Sequence, residues 1–184
     1  MQFEDTAIPE VKIVTPKKHG DARGFFSEVY KQSDWKAAGL DLSFVQDNHS
    51  YSAPAGTLRG LHFQIDPAGQ DKLIRVVRGR ILDVAVDLRH SSPTFGKHVA
   101  VELSAENWRQ LLVPVGFAHG FVTLEPDTEV LYKATSLYSP AHDRGLAWDD
   151  PELGIDWKIP AGGPFLSERD KHWPRLRDLM EAFA

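Results

Sequence analysis

Between Gln46 and Gln64 the chain places side chains that can move a proton next to side chains that can hold an anion. The stretch reads Gln46-Asp47-Asn48-His49-Ser50, then a short link, then Gly56-Thr57-Leu58-Arg59-Gly60-Leu61-His62-Phe63-Gln64. Both halves have the pattern of β-strands. Yet His62, Arg59 and the amides of Gln46, Asn48 and Gln64 are costly to bury in a strand without partners. Such a cluster fits the lining of a pocket better than a plain core. Histidine accepts and releases protons near neutrality, and an arginine a few residues away supplies a cation. The pairing suits an anionic substrate that undergoes proton transfer.

Other residues extend this chemistry. Lys72 shares a strand face with Ile74 and Val76, so alternation points its ammonium toward apolar company. An inward lysine is rarer than an inward histidine, because its charge is expensive to bury unpaired. The alternative is that Lys72, as the first residue of its strand, reaches solvent. Tyr132 shares a face with Val130 and Ala134, where a core tyrosine with a hydrogen-bonded hydroxyl is the commoner arrangement. Tyr138, just before Ser139-Pro140, either stacks on a planar ligand or covers an edge. Strict alternation puts Arg59 and His62 on opposite faces. If both line one pocket, Gly60 marks a bulge or Arg59 sits at the strand mouth.

The segment Pro114-Val115-Gly116-Phe117-Ala118-His119-Gly120 contains Pro-x-Gly-x-x-His. This is half of a pattern found in metal-binding cupins, where a tight turn delivers the histidine. The other half supplies His-x-His and a downstream carboxylate. Here the matching segment is His62-Phe63-Gln64, followed by the cation Lys72. Two histidines fall short of the three or four protein ligands that metal sites use. The reading is a cupin-type barrel without a metal.

The elements that position these residues are mostly strands. Leu73 to Val77 and Ile81 to Leu88 are rich in β-branched residues and are joined at Arg78-Gly79-Arg80, which reads as a hairpin turn. In the second run Leu82, Val84, Val86 and Leu88 share one face, and Asp83, Ala85 and Asp87 the other. His98 to Leu103, Gln110 to Val113, Gly120 to Leu124 and Glu129 to Thr135 continue as short strands separated by Gly, Pro and Asp. Ser33-Asp34-Trp35-Lys36 reads as the capped start of a short helix ending at Gly39. Pro174 to Phe183 reads as a C-terminal helix with Leu176, Leu179, Met180 and Phe183 on one side. No repeat or linker divides the chain, so the expectation is one all-β domain over residues 1–184, an antiparallel jelly roll with small helical additions.

Composition sets the outer limits. The chain has 184 residues, 42% hydrophobic and 26% charged, which is ordinary for a soluble globular domain. No apolar run approaches the ~20 residues that span a bilayer. The start, Met1-Gln2-Phe3-Glu4-Asp5, lacks the basic flank and apolar stretch of a signal peptide, so a cytoplasmic location and no membrane partner are expected. The absence of cysteine excludes disulfides, thiolate metal sites and a cysteine nucleophile. A net charge of −5 argues against general nucleic-acid binding, while Arg23, Arg59 and Lys72 can still make a local basic pocket.

Taken together the segments resemble the dTDP-4-dehydrorhamnose 3,5-epimerase family along nearly the whole chain. The resemblance rests on Asp21-Ala22-Arg23-Gly24-Phe25-Phe26, Gln46 to Ser50, Gly56 to Gln64, and Asp83 to Leu88 with Ser92-Pro93-Thr94-Phe95-Gly96. It continues through Leu103-Ser104-Ala105-Glu106-Asn107, Pro114 to Phe121, and Trp148-Asp149-Asp150-Pro151. It implies a cupin-like jelly roll, a homodimer, and catalysis with neither metal nor organic cofactor. The implied substrate is dTDP-4-dehydro-6-deoxy-D-glucose, epimerised at C3 and C5 on the way to L-rhamnose. His62 would be the general base, Tyr132 the general acid, and Lys72 the residue facing the C4 carbonyl. Arg59 and Arg23 would bind the nucleotide diphosphate. Glu28, Gln46, Asn48, His119 and Tyr138 match positions lining the substrate site, with Arg23 and Glu28 acting across the dimer interface. An aspartate should orient His62. The resemblance favours Asp170, and Asp83 is the alternative.

Two positions depart from the family's pattern. Asp143 stands where the family usually has Glu, which shortens a substrate contact. Arg169 stands where it usually has Lys, which replaces an ammonium with a planar fork. Three other readings compete. Relatives on this scaffold epimerise a single carbon or use other 4-keto sugars. A metal-dependent cupin would use His62 and His119. A sugar-nucleotide-binding module would need the arginines and aromatics but not a base, an acid and a lysine together.

Overall fold

A computed structural model of the chain describes residues 1–179 and residue 183. The strands are β1 (Gln2–Asp5), β2 (Lys12–Thr15), β3 (His19–Asp21), β4 (Gly24–Phe26), β5 (Gln46–Ser52), β6 (Leu58–Gln64), β7 (Lys72–Arg78), β8 (Arg80–Asp87), β9 (His98–Ser104), β10 (Gln110–Val113), β11 (Phe117–Thr123), β12 (Thr128–Ala134) and β13 (Asp143–Gly145). An antiparallel sheet in the order β1-β2-β10-β7-β12-β5 faces a second in the order β13-β6-β11-β8-β9, and β3 and β4 form a separate hairpin. This is the jelly roll expected from the spacing of the strands. No helix among the described residues is long and apolar enough to cross a membrane.

Three apolar layers hold the sheets. Between them lie Ile74, Val76, Leu111, Val113 and Val130 from one side and Ile81, Ala85, Val101, Leu103 and Phe121 from the other. Leu58, Val84, Val86, Ala118 and Val122 instead face outward, under a cover made by Leu146, Leu153, Trp157 and the C-terminal segment. On the far side Val14, Leu73 and Leu112 are covered by Trp35, Phe3, Tyr30 and Phe44. Alternation in β8 therefore separates two buried faces, and its aspartates point to the interior. Asp87 is satisfied there structurally. It accepts hydrogen bonds from Arg89 Nε and Nη2, Ser92 and Thr94 at 2.6–2.9 Å. Burial pushes its carboxyl up, but these donors win and hold the pKa at about 2.

Four expectations are corrected. Arg78-Gly79-Arg80 does not close a hairpin, because β7 and β8 belong to opposite sheets. The turn is a corner between layers; Gly79 has φ 76°, and a Cβ there would collide with Thr128. The short helix, α1 (Gln32–Ala37), starts before Ser33, with Lys31 at the N-cap and no side-chain cap. Gly39 does follow its end, with φ 81°. In Pro174 to Phe183 the described residues form only a single 3-10 turn, Leu176–Asp178; residues 180–182, including Met180, lie outside the described residues. Leu176, Leu179 and Phe183 nevertheless pack on the outer layer as the apolar pattern requires. Finally, β11 begins at Phe117 rather than Gly120, so the turn at Gly116 (φ 95°) delivers His119 as the third residue of the strand.

Candidate active site

Between the sheets opens a cavity of about 450 Å³. The period of two in β5 builds one wall. Gln46, Asn48 and Ser50 line the cavity, while Asp47, His49 and Tyr51 are exposed on the other face. Tyr132 pairs with Asn48 across the β5–β12 ladder, and Lys72 pairs with Ala134 across β12–β7. The opposite wall carries Arg59, His62 and Gln64 from β6, His119 and Phe121 from β11, and Asp143 from β13. Ser167, Arg169 and Asp170 close one side.

Arg59 and His62 reach the same cavity because β6 is bulged. His119 pairs with His62 and Phe121 with Arg59, so Gly120 alone faces both Gly60 and Leu61. Gly60 has φ 112°, and a Cβ there would lie 2.6 Å from the His119 carbonyl oxygen and 2.7 Å from Gly120 Cα. Neither neighbour is a flexible side chain. Gly60→Ala is therefore expected to destabilise the fold by about 3 kcal/mol in urea denaturation.

Two histidine–carboxylate pairs stand side by side. His62 Nε2–H donates to Asp170 Oδ1 at 2.5 Å, and His119 Nε2–H donates to Asp83 Oδ1 at 2.6 Å. Of the two aspartates considered for His62, Asp170 is the one that contacts it. Asp83 is fully buried and its Oδ2 has no hydrogen-bond partner among the described residues. Asp170 also accepts from Ser167 Oγ at 2.8 Å and Trp173 Nε1 at 3.3 Å. Burial raises the Asp170 carboxyl, but the His62 contact and these two donors outweigh it and hold it below the usual range. With Nε2 committed to Asp170, the lone pair of neutral His62 sits on Nδ1. Among the described residues no group of three or more His, Cys, Asp or Glu could hold a metal ion.

Lys72 is the first residue of β7, and it opens into the cavity rather than to bulk solvent. Burial pushes its ammonium down to about 8, against the charges of Asp143 and Asp83, which hold it up. It makes no hydrogen bond among the described residues. Tyr132 packs on the inter-sheet core with its phenol in the cavity. Burial lifts that phenol above its ordinary value; Arg59 pulls it down and Asp143 pushes it up.

At the mouth, the two residues that depart from the family pattern meet each other. Arg169 Nη2 lies 2.6 Å from Asp143 Oδ2, and the Tyr138 hydroxyl donates to the same oxygen at 3.0 Å. The shorter carboxylate faces the longer cation. The Tyr138 backbone N–H donates to Gln46 Oε1 at 2.9 Å, which ties its loop to β5. Arg59 is held by Ser52 Oγ and the Tyr51 carbonyl, and no carboxylate pairs with it among the described residues. Arg23 and Glu28 do not line this cavity. Arg23 is exposed on the β3–β4 hairpin beside Asp21, and Glu28 pairs with Lys31. Sequence reasoning missed Ser50, Ser167 and Trp173. Ser50 shares the alternation of Gln46 and Asn48 and could have been found; the other two lie in irregular chain with no pattern to mark them.

The family model described as dTDP-4-dehydrorhamnose 3,5-epimerase matches residues 5–178. A dTDP-4-dehydrorhamnose 3,5-epimerase of Sinorhizobium fredii is 52% identical over 184 residues, 100% of this chain and 93% of the relative. The crystal structure of the Bacillus anthracis dTDP-4-dehydrorhamnose 3,5-epimerase, solved with TDP and PPi bound, superposes with TM-score 0.91 at 50% identity, covering 95% of this chain and 98% of that one. A Legionella pneumophila dTDP-6-deoxy-D-glucose-3,5-epimerase in complex with dTDP-4-keto-L-rhamnose gives TM-score 0.92 at 42% identity, covering 98% and 94%. Similarity of this depth over nearly the whole length makes the chain a member of the dTDP-4-dehydrorhamnose 3,5-epimerase family.

Proposed function

We propose that the protein inverts C3 and C5 of dTDP-4-dehydro-6-deoxy-D-glucose, giving dTDP-4-dehydro-L-rhamnose for dTDP-L-rhamnose synthesis. The observation that carries this reading is one cavity with a carboxylate-held imidazole on one sheet and a phenol and an ammonium on the other. Each reacting C–H bond lies α to the C4 ketone. His62 Nδ1 takes the proton, and the bonding pair moves into the carbonyl to form an enolate. Lys72 faces the developing charge, where a preorganised cation does most for the transition state. Tyr132 then delivers a proton to the carbon from the opposite face. The phenolate regains its proton from solvent, and His62 returns its own to solvent. Asp170 orients His62 and stabilises the imidazolium that forms. No metal or organic cofactor takes part in this sequence.

The guanidinium of Arg59, which meets no carboxylate among the described residues, suits the diphosphate. Asn48 Nδ2 and Ser50 Oγ are buried without partners among the described residues, and both face the cavity. They are ready donors for sugar hydroxyls or the nucleotide. We assign Arg23 and Glu28 to the cavity of a second copy in a homodimer. Support comes from the β3–β4 hairpin, which is exposed along its length, with Phe25 56% and Phe26 68% exposed. A dimer in sedimentation analysis is the expected result. The protein would act as one domain in the cytoplasm, on a nucleotide sugar.

The deciding experiment is incubation with dTDP-4-dehydro-6-deoxy-D-glucose in D₂O, followed by mass spectrometry and proton NMR of the sugar. Deuterium at C3 and C5 with both centres inverted is expected. Deuterium at one carbon would make this a single-site epimerase, and none would reject the substrate. Lys72 adds a pH signature. Its cation is needed and is lost as pH rises through about 8, so the alkaline limb of kcat/KM should fall through that value. Lys72→Met should be slow and lack that alkaline limb.

A further inference from the structure

The C-terminal segment brings a third ring to the His62–Asp170 pair. The Trp173 indole N–H donates at 3.3 Å to Asp170 Oδ1, the oxygen that also accepts from His62 at 2.5 Å. The indole stands edge-on to the imidazole, with centroids 6.1 Å apart. Two contacts fix it there. Gly145 lies opposite His62 in the β13–β6 ladder, and a Cβ at that position would overlap the indole. The Arg169 guanidinium sits 5.0 Å from the ring centroid and is itself held by Asp143.

We propose that Trp173 is a positioning residue for proton transfer at His62, acting by fixing the plane of the Asp170 carboxylate. A carboxylate bound through one oxygen can swing about its last torsion, which is broad and soft. Asp170 is bound through both. Ser167 Oγ holds Oδ2 and Trp173 holds Oδ1, so the oxygen facing His62 stays in place while the imidazole gains and loses charge. The inference rests on reading His62 as the base. It adds a role for a residue that does not line the cavity.

Trp173→Phe keeps a ring and removes the N–H. In the full chain it should lower kcat about tenfold with KM and dTDP affinity unchanged, as expected for a lost hydrogen bond that matters only during the reaction. In an Asp170→Ala background the same replacement should have no further effect, because the acceptor is gone. Equal losses in both backgrounds would mean a structural role and overturn the inference. A readout without substrate is available. The protein has five tryptophans, and the indole ¹H–¹⁵N peak missing from Trp173→Phe should move in Asp170→Asn while the other four hold. A peak that stays put also overturns the inference. If Trp173→Phe does not fold, Arg169→Gln identifies the same peak by removing the cation beside the ring. A protein that turns over no dTDP-4-keto sugar would overturn the epimerase reading and the positioning role with it, whereas an active enzyme whose kcat is untouched by Trp173→Phe would overturn the positioning role alone.

Discussion

Replacing His62 with asparagine is expected to lower turnover by about three orders of magnitude while leaving dTDP affinity within about twofold. Asparagine is close in size and can still meet Asp170, but it cannot take a proton from carbon. The groups suited to the nucleotide, Arg59 and the amides of β5, reach the cavity from other positions and do not depend on the imidazole. Steady-state rates and calorimetric titration with dTDP check the two halves separately. Full turnover in His62→Asn would move the base elsewhere. His119 would then be the next candidate, since Asp83 holds it as Asp170 holds His62.

Tyr132→Phe should separate exchange from inversion. The base can still remove the α-proton and return it, so the sugar should take up deuterium from D₂O without net change of configuration at that carbon. Little stability should be lost. The phenol makes no hydrogen bond among the described residues, and the ring that packs on the core remains. A loss below about 1 kcal/mol in urea denaturation is expected. Normal inversion by the variant would place the acid on another group.

Much of this was legible in the chain because strand periodicity is simple. The amide face of β5 and the two faces of β8 follow directly from alternation, as does the inward face of Tyr132; for Lys72 alternation left solvent as an alternative, and the structure places it at the cavity. Alternation also exposed its own failure. It set Arg59 and His62 on opposite faces, and the bulge at Gly60 resolves that conflict. What stayed hidden depends on partners far apart in sequence. Turn chemistry at Gly79 indicates a reversal but carries no information about which sheet the next strand joins. The choice of Asp170 over Asp83 needed a contact across 108 residues. It came from family resemblance rather than from any local pattern. The apolar spacing of Leu176, Leu179 and Phe183 marks a covered surface, and such spacing alone does not distinguish a helix from irregular chain laid on a sheet. Trp173 offered no signal at all.

His62 and Tyr132 sit on different sheets, joined mainly through the side chains packed between them. The thickness of that packing is therefore a stereochemical parameter. Sheets in contact stand about 10 Å apart, and one added or removed methylene between them is felt because interiors are close-packed. If Tyr132 is the acid proposed above, substitutions at Ile74, Val130 or Phe121 would change how far it stands from the carbon it must reach. Product handedness in this scaffold can then drift through volume changes in the hydrophobic layer, with every catalytic side chain unchanged.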